Sequence, residues 1–367
     1  MRNLAYEKWK RQMVRAAKEM EQPVVGHFEL TPRCNLDCKM CYIHNQESNA
    51  LRDRELSTEK WKQIFDDAFD CGMLFANLTG GECLLRSDFK ELYLHLWNKR
   101  VLITVMTNGT LIDDQYLAFF EKYPPVDFQI SLYGSCEEGY RNVTGHHGFE
   151  KAVRAIRALM NLKIPVHVAV TPSSYMRDDF INIRKFCKEN KFWSNPSTFH
   201  LTKKRDNPDY NDHELSIEEI VNLSVEQAQL SRSLTPMEGE LPPCMGTATT
   251  APKGTKCTAG KAIAVVSFDG TMHPCSMLPI GKASVLEMSY SDAWEKTKEA
   301  ARKVLLGMEC VGCAYDKTCP KCPAIRLTGL HTGHCNPDVC ELTKRLVAAG
   351  VKKLDTPQED DDEEIEH

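Results

Sequence analysis

Cys34, Cys38 and Cys41 place three thiols within eight positions of the stretch RCNLDCKMCY. Thiolates this close together hold soft metals, yet a closed zinc or iron–sulfur site takes four ligands. Three protein ligands would leave one coordination position open to something that comes and goes. A zinc knuckle completed by a distant side chain such as His44 is the plainer alternative. Such knuckles are mostly built from C-x2-C pairs, whereas the spacing here is C-x3-C-x2-C. A second cysteine set lies far downstream. It comprises Cys257 and Cys275, then Cys310, Cys313, Cys319 and Cys322 as C-x2-C-x5-C-x2-C, then Cys335 and Cys340.

Sixteen cysteines in 367 residues would suggest disulfides in an exported protein. The first 22 residues are charged throughout and lack an apolar h-region, so they do not read as a secretory signal. The expectation is therefore a cytoplasmic protein whose closely spaced cysteines bind metal. A net charge of −5 supplies no global footprint for nucleic acid, and no apolar run reaches membrane-spanning length.

The elements that must position these thiols follow from periodicity. From residue 24 onward, β-rich runs alternate with amphipathic helical stretches. The runs are VVGHFELT, LFANLTGGE, LITVMTNG, DFQISLYG, VHVAVT and TFHLT. Ser57 caps a helix that stops before Gly72. Six strands with intervening helices predict a parallel sheet with right-handed crossovers, whose ligands bind at the carboxyl ends of the strands. The cysteine triplet follows the first strand, TGGE (79–82) ends the second, and TNG (107–109) ends the third. The alternation stops near 205. A helix, a Pro/Gly/Thr-rich linker, the hairpin AIAVVSFDGTMHPC, another helix and an acidic tail complete the chain.

The triplet C-x3-C-x-φ-C, with Met40 at φ and Tyr42 after the last cysteine, resembles the signature of the radical S-adenosylmethionine (SAM) enzymes. That resemblance implies an α/β fold, a partial (β/α)6 TIM-like barrel. It also implies a [4Fe–4S] cluster on Cys34, Cys38 and Cys41, with SAM on the open iron. One electron from the cluster then cleaves SAM to methionine and a 5′-deoxyadenosyl radical. Gly80, Gly81 and Glu82 resemble the family's GGE motif, with the glycines admitting the ligand and the carboxylate meeting the SAM ammonium. The family has Pro after this Glu, and here Cys83 stands there, read as a small buried residue. Ser131, and less strongly Asn108, resemble ribose- and methionyl-holding positions, while Arg141 carries no role in this reading.

The downstream cysteines resemble the SPASM extension, a small C-terminal cysteine-rich domain with two auxiliary [4Fe–4S] clusters. The resemblance assigns Cys257, Cys275 and Cys322 to the first, with Cys244 or an open iron completing it. Cys310, Cys313, Cys319 and Cys340 fall to the second, with Cys335 as the alternative to Cys340. One residue fewer than in the family precedes Cys322. Cys71, Cys136 and Cys187 are read as non-ligands, and paired zinc ribbons are the alternative for the whole region. The expected organisation is a helix (1–23), the barrel (24–215), a helix and linker (216–256), the SPASM domain (257–346) and a tail (347–367).

Enzymes resembling this chain mostly crosslink or dehydrogenate ribosomally made peptides or proteins. A radical SAM dehydrogenase of a small molecule is the alternative. A non-catalytic iron–sulfur or zinc protein is the reading from another class, and the GGE strand end argues against it. Formylglycine formation is disfavoured, since those enzymes place an Asp after the second SPASM cysteine where this chain has Ser276. An external electron donor such as flavodoxin or ferredoxin is implied. Only about two dozen residues precede the first strand, so the expectation is either a separate peptide-recognition protein as partner or a substrate bound without a leader module.

Overall fold

The computed structural model describes residues 4–43, 51–194, 214–231, 257–278, 280–304, 310, 312–319, 322, 324 and 337–354. The expected sixth strand at 198–202, His44, Cys244, Cys335, the linker at 232–256 and the tail from 355 lie outside them.

Strands β1 (Val25–Glu29), β2 (Phe75–Thr79), β3 (Leu102–Thr107), β4 (Asp127–Ser131) and β5 (Val166–Ala169) pair in parallel, and a two-residue β6 (Trp193–Ser194) joins β5. Between them run α2 (Thr58–Asp70), α3 (Phe89–Asn98), α4 (Asp114–Lys122), α5 (Glu137–Thr144), α6 (Phe149–Asn161) and α7 (Arg177–Glu189). Helix α1 (Leu4–Met20) precedes the sheet, and its Ala17 packs with Val24, Val25 and Phe75. Helix α2 shows why these stretches fold locally. The Ser57 side chain accepts the Lys60 N–H, and Trp61, Ile64, Phe65 and Ala68 recur at helical spacing on one buried face. Phe28 of β1 meets Phe65 there with ring centroids 4.8 Å apart.

The sheet is open, with order β6-β5-β4-β3-β2-β1-β7-β8-β9. Strand β7 (Ile263–Val266) adds to β1 in parallel, from Val25↔Ile263 to Phe28↔Val266, and β8 (Thr271–His273) and β9 (Ala283–Ser284) follow antiparallel. Helix α9 (Tyr290–Arg302) closes this part, its Trp294 indole donating to the Glu21 carbonyl at 3.1 Å. Residues 256–304 therefore form one compact unit with 1–215. The sequence placed a domain boundary at 257, but an apolar strand such as β7 needs a neighbour, and the free edge of β1 supplies it.

Residues 216–255 and 305–367 make the second unit. In it, α8 (Ile217–Ser231) contacts α10 (Pro337–Ala348). Tyr315 and Val347 are its fully buried centre, with Cys313, Cys319, Cys340 and Leu354 packed against them. Among the described residues no helix is long and apolar enough to cross a membrane.

Candidate active site

The cysteine loop leaves β1 and crosses the carboxyl ends of the strands, tied down on both sides. The Thr31 carbonyl accepts the Gly81 N–H and the Arg33 carbonyl accepts the Glu82 N–H, both at 2.8 Å. A Cβ on Gly80 would lie 2.4 Å from the Thr31 carbonyl oxygen, and one on Gly81 2.4 Å from that of Arg33. Gly80 also adopts φ +143°, so both positions require glycine. The sequence reading gave these glycines to ligand approach, and the structure shows them seating the stem of the loop. On the far side, the Asp37 and Lys39 N–H groups donate to the Thr144 and Val143 carbonyls that end α5, at 2.8 and 3.0 Å.

A partly buried ionic clamp reinforces the stem. Arg33 donates to both oxygens of Glu55 at 2.6 and 3.0 Å, and Thr31 Oγ1 donates to the same carboxylate at 2.6 Å. Arg86, only 6% exposed, grips Asp88 through two nitrogens and donates to the carbonyls of Leu30 and Leu56.

Within this frame the three thiols are partly open. Cys34 Sγ accepts the Leu36 N–H at 3.4 Å, and the Cys41 N–H donates to the Cys38 carbonyl. Dense surroundings push the Cys34 thiol up to about 12, and charge on Glu82 and Cys41 pushes the same way. Cys38 is raised by burial and then by Cys41 and Cys34, so the three thiols crowd one another. Such thiols ionise together only when a cation joins them.

Asn108 reaches back from β3. Its Nδ2 donates to Asn35 Oδ1 at 2.8 Å and lies 4.0 Å from Cys34 Sγ, while its Oδ1 accepts from the N–H and hydroxyl of Thr110. Asn35 and Thr110 close this network and were not singled out in the sequence, because neither belongs to a recognisable spacing. Glu82 is fully buried. It accepts from Leu84 N at 3.0 Å, Thr107 Oγ1 at 2.8 and 2.9 Å, and Asn108 N at 2.8 Å, so it braces β2 against β3. Burial pushes its carboxyl up, against the pull of those donors. Tyr133 shares hydrogen bonds with the hydroxyls of Ser131 and Thr171. Met40 is buried, Tyr42 half-buried and Arg141 exposed, while Cys83 is fully buried, as read from sequence.

Cys257 and Cys275 belong to the same unit as this loop, and each repeats the Cys34 arrangement. Their sulfurs accept the Ala259 and Met277 N–H groups at 3.4 Å. Ser276 donates to Glu29, a carboxylate at the end of β1 that also accepts from Ser267. No sequence signal joined these three. In the second unit, Cys313, Cys319 and Cys340 surround the Tyr315–Val347 centre, and Cys310 and Cys313 act on Cys319, whose thiol burial raises. Cys322 also lies in that unit. Among the described residues no three His, Cys, Asp or Glu side chains converge on a single ion position. A four-iron cube asks for no such point, since its cysteines ligate different irons.

A family model described as the radical SAM superfamily matches residues 28–187, the span from β1 through most of α7. Residues 28–187 are a radical SAM domain. Such a domain uses SAM and a [4Fe–4S] cluster, and the clustered thiols of the Cys34–Cys41 loop fit the iron. The chain is 37% identical over 143 residues to the mycofactocin maturase MftC of Mycolicibacterium smegmatis, covering 39% of this chain. That alignment spans only 36% of the maturase. It is 25% identical over 319 residues to an AdoMet-dependent heme synthase of Methanosarcina barkeri, covering 81% of this chain and 90% of the synthase. In three dimensions it is similar to Streptococcus suis SuiB bound to precursor peptide SuiA, with TM-score 0.64, 16% identity, and coverage of 93% and 82%. This last likeness concerns the fold.

Proposed function

We propose that this protein is a radical SAM maturase that oxidatively crosslinks or dehydrogenates a ribosomally made peptide or protein. The observation that carries the reading is the loop of three crowded thiols, built onto the strand ends of a radical SAM domain. Cys34, Cys38 and Cys41 hold the cluster, which with SAM supplies one-electron reductive cleavage to a 5′-deoxyadenosyl radical. Gly80 and Gly81 seat the loop, and Glu82 fixes the ends of β2 and β3. A carboxylate accepts about four hydrogen bonds. Leu84, Thr107, Asn108 and Cys83 already supply that many donors, so a SAM ammonium at Glu82 would take the place of one of them. Asn108 and Ser131 line the same strand ends, with Met40 and Tyr42 flanking the cysteines. The peptide substrate is favoured by the likeness to a mycofactocin maturase over the domain that does the chemistry.

The second cysteine set belongs to two auxiliary clusters in this reading. Cys310, Cys313, Cys319 and Cys340 hold one, supported by the packing of the last three against Tyr315 and Val347 and by the effect of Cys310 on Cys319. Cys257, Cys275 and Cys322 hold the other, with Cys244 as candidate fourth ligand. The shared N–H···S contact at Cys34, Cys257 and Cys275 supports the same use for all three. An external one-electron donor completes the cycle.

A small-molecule substrate is the second reading, favoured by the heme synthase alignment that spans most of both chains. Anaerobic reconstitution should yield about twelve irons, as three four-iron clusters. Replacing Cys34, Cys38 and Cys41 together with Ala should remove about four of these and abolish SAM cleavage. Tightly bound zinc without iron would overturn the reading. Mass spectrometry of short peptides encoded beside this gene, after incubation with SAM and reductant, should show loss of two hydrogens. Unchanged peptides together with a modified tetrapyrrole would favour the second reading.

A further inference from the structure

Glu29, the last residue of β1, carries a carboxylate and is only 1% exposed. Removing a carboxylate from water is costly, and here a hydroxyl meets each of its oxygens. Ser267 Oγ donates to Oε2 at 2.9 Å, and Ser276 Oγ donates to Oε1 at 3.0 Å. Such donors favour the charged form. Alternation along β1 fixes where the group faces. Phe28 lies against Trp61 and Phe65 of α2, so its neighbour Glu29 projects from the opposite face of the sheet. Val25 shares that face and packs with Phe75 and with Ala17 of α1. Helix α1 therefore covers the amino ends of this face, while Glu29 stands at the carboxyl ends, level with Thr79 of the TGGE turn. The cysteine loop begins directly after it. Ser267 is buried, whereas Ser276 is half-buried and follows Cys275. Ser276 is thus the side from which the carboxylate is reached.

We propose that Glu29 takes up, through the Ser276 hydroxyl, the proton that the substrate releases as it is oxidised. This rests on the peptide oxidation proposed above. Loss of two hydrogens divides into a hydrogen atom, which converts the 5′-deoxyadenosyl radical to 5′-deoxyadenosine, and then one electron and one proton. The electron goes to an oxidised four-iron auxiliary cluster, reducing it. The proton leaves the substrate radical from an N–H, O–H, S–H or C–H as the new bond forms. Ser276 Oγ accepts it and hands its own proton to Glu29 Oε1, so the serine ends neutral and the carboxylate ends as a carboxyl group. A serine hydroxyl does both at once, because it carries one proton and two lone pairs. Ser267, on the other oxygen, holds the carboxylate in place.

The test uses the full-length protein as wild type, Glu29→Gln, Ser276→Ala and Ser267→Ala. Infrared difference spectra of the iron-free proteins at neutral pH, wild type minus Glu29→Gln, should show a charged carboxylate whose band moves in Ser276→Ala. A protonated carboxyl there overturns the proposal, since it has no place for another proton. The reconstituted proteins are then incubated with SAM, reductant and the peptide encoded beside this gene. Glu29→Gln should still form 5′-deoxyadenosine while product falls about a hundredfold. Ser276→Ala should lose about tenfold, because a water can stand in for the hydroxyl, and Ser267→Ala should lose much less. Product at the wild-type rate in Glu29→Gln overturns the proposal. Equal losses from the two serines do so as well, since the carboxylate would then be only a tie between β1 and the hairpin. If Glu29→Gln melts below wild type, the comparison of the two serines decides alone. A wild type that leaves the peptide unmodified overturns the peptide reading itself, and this step with it.

Discussion

The loop carrying Cys34, Cys38 and Cys41 and the stretch carrying Cys310, Cys313 and Cys319 are held in opposite ways. The first is docked by backbone hydrogen bonds to Gly81, Glu82, Val143 and Thr144 and by the Arg33–Glu55 clamp. In the second, Cys313 and Cys319 pack with Cys340 and Leu354 against two fully buried side chains, Tyr315 and Val347. One site is built by the chain before any iron arrives. The other takes part of its core from the thiols proposed to hold an auxiliary cluster, and small metal sites contribute directly to folding.

The strongest way to break this comparison is to remove iron. Hydrogen exchange on protein treated anaerobically with chelator should show amides of 313–319 and the first turn of α10 losing protection, while β1 to β5 keep theirs. Equal loss in both regions would mean that the core loop also waits for metal. A narrower version replaces Cys310 and Cys313 with Ala. About four irons should be lost, and SAM cleavage should persist because the core loop has its own supports. Product formation should fall sharply, as the substrate radical loses an electron acceptor. Normal turnover in a folded variant would make that cluster structural.

The core side of the comparison is sharpened by Arg86→Met. Removing one partner of a buried ion pair costs about 3–5 kcal/mol. Denaturant melts of the iron-free protein should show that loss in the barrel transition, with the second unit unaffected. The smallest effect is one of pH. Asp127, the first residue of β4, is raised to about 7 by burial, with Lys10 pulling it down and Glu7 adding to the rise. An unfolded Asp ionises near 3.9. Between these values the unfolded chain gives up its proton first, so barrel stability should be fully present below about pH 4 and decline as pH rises toward 7. Asp127→Asn should flatten that slope, and an unchanged slope would remove Asp127 as its source.

Much of this was legible in the sequence because the signals are local. The Ser57 cap, the Trp61–Ala68 face and the C-x3-C-x2-C spacing each span a few residues, and each appears in the expected element. The contacts that give the site its rigidity are not local. Glu29 meets Ser276 across 247 positions, Asn108 meets Asn35 across 73, and Arg86 reaches Leu30 across 56. Nothing in the type or spacing of these side chains announces such pairings. They follow only once parallel strands set β1 beside β2 and β7. The boundary at 257 was missed for the same reason, since a hairpin pattern does not say which edge it will join.

The pairing of β7 with β1 fixes where this protein may be cut. A chain ended at Lys256 would not shed an appendage. It would strip a neighbour from the strand that launches the cysteine loop, unpair Glu29 from Ser267 and Ser276, and bare a row of backbone amides between Val25 and Phe28. Such an edge invites pairing with other chains. A cut after Val304 spares that pairing, although it strands α8, whose partner α10 lies beyond it. A fragment ending there should retain the core iron, whereas one ending at Lys256 should aggregate.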